Sequence, residues 1–263
     1  MRITESMPSH QSGSFESHLF LKIAIGLAIA TSLGSDLALA GGRDYSASVF
    51  EPRWVTDAGK IQAGKAFAIN LDGCSDPLLV SALHLFGPSG GLLPKQLEAV
   101  DLKRRVLKIE LRSIAKPEDE ISFKATSVTP DGAVVARPMT GIGDFVSFAA
   151  PESMRRFAFK VVTRPPAIGQ RLLVVTSVFG SVRPSFVFEA EVRGFQNGYL
   201  VYEFITPGFK PQATSGAPVL NLEGQVVAVN LGGSAGRNGE TYGFANPASA
   251  WANALKGTCG VHK

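Results

Sequence analysis

The chain has 263 residues, is 45% hydrophobic and 18% charged, contains 28 glycines and 16 prolines, and carries a net charge of +4. That is a globular composition, rich in turns and β-branched residues, and long enough to bury a sizeable core. Its basic residues are scattered, with Lys103-Arg104-Arg105 the tightest cluster, so neither a nucleic-acid motif nor a nucleic-acid partner is indicated.

The first 40 residues stand apart. Ile23 to Leu33 is an apolar run preceded by Lys22, and Ala38-Leu39-Ala40 supplies small residues for cleavage. This pattern predicts a secretory signal peptide over residues 1–40 and export to a periplasmic or secreted location. The run is short for a membrane span, and no later stretch is long and apolar enough for one. An uncleaved N-terminal anchor is the alternative, and Met7 is an alternative start. Removing residues 1–40 takes away two basic and three acidic side chains, leaving a mature charge of about +5.

The remainder reads as many short apolar runs broken by Gly, Pro, Asp and Asn, the signature of an all-β protein. Gly41 to about Ala63 is an extended entry segment. Strands are predicted at Lys65–Asn70 and Leu78–Ser81, with further runs at Gln96–Asp101, Val106–Leu111, Ile121–Val128, Ala133–Ala136 and Phe145–Ala149. Pro130-Asp131-Gly132 is placed as a hairpin turn. A bridging stretch, Pro151 to Pro166, carries the domain boundary, set at 155/156. A second set of strands follows at Arg171–Thr176, Phe186–Val192, Tyr199–Ile205, Ala217–Asn221, Val226–Leu231 and Thr241–Ala245. Pro247 to Leu255, followed by Gly257, reads as a C-terminal helix. Two groups of about six strands suit two packed antiparallel barrels or a sandwich, which periodicity does not separate.

Two cysteines remain after residue 40, Cys74 and Cys259. An oxidising compartment permits one disulfide, and two free thiols are the alternative. His84 and the near-terminal His262 are too few ligands for zinc, so no metal and no cofactor is expected.

Three segments carry chemistry. The first is Gln212-Ala213-Thr214-Ser215-Gly216-Ala217-Pro218-Val219-Leu220, where a serine sits among small residues ahead of an apolar strand. The second is Ser81-Ala82-Leu83-His84 after the strand Leu78–Ser81. The third is Gly141-Ile142-Gly143-Asp144 before the alternating run Phe145-Val146-Ser147-Phe148. In this order the three segments resemble the histidine, aspartate and serine motifs of trypsin-like serine proteases, bacterial type, over most of residues 60 to 255. Asp101, Asp119 and Asp131 also lie between His84 and Ser215. Asp131 is a hairpin-turn residue and Asp119 sits in a charged loop, and the strand after Asp144 matches the family pattern.

The resemblance implies two six-stranded antiparallel β-barrels with a C-terminal helix and no trailing peptide-binding domain. Residues 41–155 would form the barrel carrying His84 and Asp144. Residues 156–263 would form the barrel carrying Ser215. It further implies a serine endopeptidase acting on protein or peptide through an acyl-enzyme. Ser215 would be nucleophile, His84 base and Asp144 the orienting acid. The N–H groups of Ala213 and Ser215 would form the oxyanion hole. Phe209, six residues before the serine, with Gly232, Gly233 and Gly243, would line the specificity pocket. No carboxylate falls at the pocket base, which speaks for a small or apolar side chain. Because the family's C-terminal helix packs toward the first barrel, Cys74 and Cys259 could meet as a disulfide.

The pattern departs at two positions. Ala213 stands where the family usually has glycine, and alanine is strained if that residue needs positive φ. Thr214 stands where digestive members carry an aspartate that pairs with a new N-terminus. An inactive relative serving as a protein-binding module is the competing function.

Overall fold

In a computed structural model, the structure describes residues 44–259 apart from 92, 137, 179–185 and 207–208. The predicted signal segment, the start at Gly41 and His262 lie outside the described residues.

The first half is a sheet of eight strands. Its β1 (Val49–Thr56) and β2 (Gly59–Gln62) form a hairpin within the segment expected only to be extended. They are followed by β3 (Ala66–Asn70), β4 (Leu78–Ser81), β5 (Val106–Ser113), β6 (Glu120–Lys124), β7 (Val146–Ala149) and β8 (Phe159–Lys160). The main path runs β6-β5-β1-β3-β4-β7. Its two ends are joined by the chain just beyond β6. Val128 N–H donates to Ser147 O at 3.0 Å and Ala149 N–H to Thr126 O at 2.9 Å. The ring of six is thus completed by a short bridge rather than a full ladder. Strand β8 pairs in parallel with β3, so the first sheet reaches past residue 155.

The second half is a closed barrel of six antiparallel strands. They are β9 (Arg171–Val175), β10 (Val187–Gln196), β11 (Tyr199–Phe204), β12 (Pro218–Leu220), β13 (Val226–Ala235) and β14 (Thr241–Pro247), in the order β10-β11-β14-β13-β12-β9. Alternation explains the closure: along β11 the residues Leu200, Tyr202 and Phe204 are buried while those between them are partly exposed.

Two expectations fail locally. Gln96–Asp101 is not a strand, and the chain instead forms helix α1 (Ala99–Arg105). Ala99 and Leu102 face inward there, and Lys103, Arg104 and Arg105 occupy the last turn, where cations complement the helix dipole. Ala133–Ala136 does not pair as a hairpin. It makes a single parallel bridge from Ala133 to Gly143, so the Pro130 turn closes a loop.

The C-terminal helix α2 (Ala248–Cys259) starts directly after Pro247 as expected and runs through Gly257. Its Trp251 is fully buried and stacks on Phe145, ring centroids 4.5 Å apart. Thr258 Oγ1 donates to Val128 O at 3.1 Å, and Cys259 is bonded to Cys74 with Cα atoms 5.2 Å apart. The helix at the end of the second half is therefore fastened onto the first.

Glu110 on β5 faces its cross-strand partner Arg53. Lys108, with Arg53 and Lys60, surrounds its carboxylate and holds its pKa at about 2. A depressed carboxylate stabilises the fold above its unfolded value near 4.5, and that contribution is lost as pH falls toward 2. Glu110→Gln is therefore expected to flatten the fall of the melting temperature across this acid interval, read by thermal scans at successive pH values. Cys74→Ser with Cys259→Ser opens a loop with a sequence separation of 185. Loop-closure entropy puts the loss at up to about 5 kcal/mol, measured by denaturant unfolding without reductant.

Candidate active site

Strand β4 ends in a single 3-10 turn, Leu83–Phe86, that carries His84. Leu83, Leu85 and Phe86 are buried, which anchors the turn and leaves the His84 ring at the edge of the core, its side chain 15% exposed. Asp144 lies two residues before the start of β7, the strand paired with β4 through Ser81 and Val146. That register brings the two side chains together. Asp144 Oδ2 sits 2.6 Å from His84 Nδ1, and Asp144 Oδ1 accepts the His84 backbone N–H at 2.9 Å. With a carboxylate facing it, Nδ1 carries the proton, leaving the Nε2 lone pair free to act as a base.

The second half reaches across to hold this loop. Asn246 Nδ2, at the end of β14, donates to Ile142 O at 2.9 Å. At Gly143 the chain passes at φ +73, which favours glycine, and a Cβ would come within 2.5 Å of Met139 Sδ.

Ser215 lies in the turn before β12. Its Oγ donates to Leu231 O at 3.0 Å rather than to His84. The turn is bound on several sides. Lys65 N–H donates to Ser215 O at 2.7 Å and Gly216 N–H to Asn230 O at 2.7 Å. Asn230, fully buried, donates through Nδ2 to Thr214 O at 2.8 Å and to Thr214 Oγ1 at 2.9 Å. Its Oδ1 accepts the Tyr202 hydroxyl at 2.6 Å, and burial pushes that phenol above its ordinary pKa. Thr214 is thus held by the amide of Asn230. Ala213 adopts φ +59, one of two non-glycine residues with positive φ among those described. The left-handed conformation read as a risk at this position is present, and for alanine it costs about 1–2 kcal/mol.

His84 and Asp144 open onto a cleft of about 600 Å³ that Leu231, Gly232, Gly233 and Ser234 also line. Gly232 and Gly233 line this cleft. Phe209 does not. It is 6% exposed and packs in the barrel core, ring centroids 3.9 Å from Phe204 and 4.5 Å from Phe188. Counting six positions back from the serine lands on a large apolar ring, which gains more by entering the core than by lining a wet cleft. Gly243 also stands away from the cleft. A Cβ there would come within 2.2 Å of the Tyr202 ring, so this glycine makes room for that buried tyrosine. Lys65, Asn230, Tyr202 and Asn246 were invisible as site residues in the sequence, since each is an ordinary strand-end or core residue until the fold places it.

No protein-family model and no curated protein matches the chain. Among solved structures, the serine endoprotease from Yersinia pestis superposes with a TM-score of 0.52 at 13% identity, covering 84% of this chain and 68% of that one. The active form of the Rv3671c protease from M. tuberculosis gives 0.49 at 17% identity, covering 83% of each chain. With a closed six-stranded barrel, a bridged partner sheet and a C-terminal helix packed across both, the chain has the trypsin-like serine protease fold.

Proposed function

We propose that the chain is an exported serine endopeptidase that cleaves peptide bonds through an acyl-enzyme. The observation that carries this reading is the His84–Asp144 pair, in which both carboxylate oxygens are taken by one histidine at the edge of a cleft that is also lined by Leu231, whose carbonyl accepts the Ser215 hydroxyl. On this reading a χ1 rotation of Ser215 exchanges Leu231 O for His84 Nε2. His84 takes the hydroxyl proton as Oγ attacks the scissile carbonyl, and the N–H groups of Ala213 and Ser215 receive the developing oxyanion. His84 then gives the proton to the leaving amine. Water, activated by the same imidazole, releases the acyl group. Asp144 holds the tautomer and stabilises the imidazolium.

Among the described cleft residues Asp144 is the only acid, and it is committed to His84. Leu231 and Phe244 supply apolar surface. A small or apolar side chain at the cleavage position is the preference this supports. Export is supported by the Ala38-Leu39-Ala40 pattern and by the Cys74–Cys259 disulfide.

A non-catalytic binding module is the second reading, favoured by the turned-away Ser215 hydroxyl and by alanine at position 213. Labelling with a fluorophosphonate probe separates the two. Wild-type protein is expected to label and Ser215→Ala not to, with unchanged melting. His84→Ala should lose a comparable factor, because nucleophile and base act as a unit. Asp144→Asn should cost about 10⁴-fold in kcat, the size found for this change in a triad protease. Ala213→Gly should raise labelling by relieving the left-handed strain. If neither wild type nor Ala213→Gly labels or cleaves apolar and basic peptides, the binding-module reading replaces this one.

A further inference from the structure

Lys65 is 4% exposed, an unusual place for an ammonium group, and burial pushes its pKa down. Its Nζ has two partners, Ala213 O at 3.2 Å and Glu51 Oε1 at 3.3 Å. The same Glu51 oxygen accepts Ser177 Oγ at 2.8 Å. Lys65 thus brings a charge from the start of β3 to a carbonyl of the serine turn, 148 residues away in sequence.

Its main chain is fixed to the same turn. Lys65 N–H donates to Ser215 O at 2.7 Å, and Lys65 O accepts Ser81 Oγ at 2.6 Å. The approach is close enough that a Cβ at Gly64 would come within 2.6 Å of Ser215 O, and one at Gly216 within 2.1 Å of Lys65 O. One residue therefore ties the turn at both ends, by its backbone at Ser215 and by its side chain at Ala213. Thr214 between them is held from the other side by Asn230.

Ala213 has little else to hold it. It is exposed, so packing does not impose its φ of +59, and its side chain disfavours that conformation. A strained residue persists only where its surroundings over-determine it. We propose that Lys65 is a positioning residue for the oxyanion site: by grasping the Ala213 carbonyl it keeps Ala213 left-handed and so keeps the 213 amide aimed at the substrate oxygen. The proposal rests on the protease reading for its catalytic consequence, and on geometry alone for its effect on the turn.

A double-mutant cycle tests it. Lys65→Met is expected to slow fluorophosphonate labelling and lower kcat by about 10–100-fold, with KM changed by less than about twofold, because only the transition state uses the hole. In the Ala213→Gly background, where the conformation needs no holding, the same change should cost less than about threefold. Lys65→Gln keeps N–H donors without the charge and should fall between, and it serves if Lys65→Met does not fold. Equal loss in both backgrounds, or full activity per folded molecule in Lys65→Met, would overturn the proposal and leave Lys65 as a structural ion-pair residue. Amide hydrogen exchange read over 212–216 needs no activity. Lys65→Met or Lys65→Gln should accelerate exchange there and leave β13 unchanged, and no local acceleration would refute the proposal. If wild type does not label but exchange responds, the protease reading fails and the positioning of the turn stands.

Discussion

A buried carboxylate is tolerated only when its lone pairs are satisfied, and that requirement organises this molecule. Asp144 is 6% exposed, and its two oxygens are answered by one residue, His84, through ring and backbone. For one residue to offer both donors, its N–H must point the same way as its ring, which a tight turn at a strand end achieves and a continuing strand would not. The 3-10 turn after β4 and the entry to β7 exist in register because those strands are hydrogen-bonded neighbours.

The second half of the chain supplies what the first cannot. Asn246 holds the carbonyl two residues before Asp144, and Trp251 stacks on the residue after it. In return the first sheet reaches into the serine turn through Lys65, whose own carbonyl is held by Ser81. Each half therefore completes a loop belonging to the other. Short polar ties made to main-chain carbonyls suit this purpose, because they fix loop geometry without depending on the identity of the side chains in the loop.

Much of this was legible because strands and reactive motifs are local. Leu78–Ser81 was read to the residue, and the His84–Asp144 pair was chosen from four aspartates by the strand that follows it. The helix after Pro247 was readable from its start signal and helix formers. What failed was decided at a distance. Gln96–Asp101 has strand-like content, yet its last three residues open helix α1, which buries Ala99 and Leu102 and leaves Val100 exposed. Phe209 was assigned by counting along the chain, whereas a pocket is set by which strands of a barrel adjoin. Lys65 reads as any surface lysine until the fold closes over it. Side-chain anchors of this kind have no local pattern, since their partners lie far off in sequence.

The helix fastened by Trp251, Thr258 and Cys259 bears on how the molecule comes apart. It begins directly where the last strand of the closed barrel ends, yet its aromatic contact and covalent bond are to the first sheet. Neither half can melt without either dragging this helix from its socket or leaving Phe145 bare to water. The helix thereby couples the unfolding of the two β units to one another.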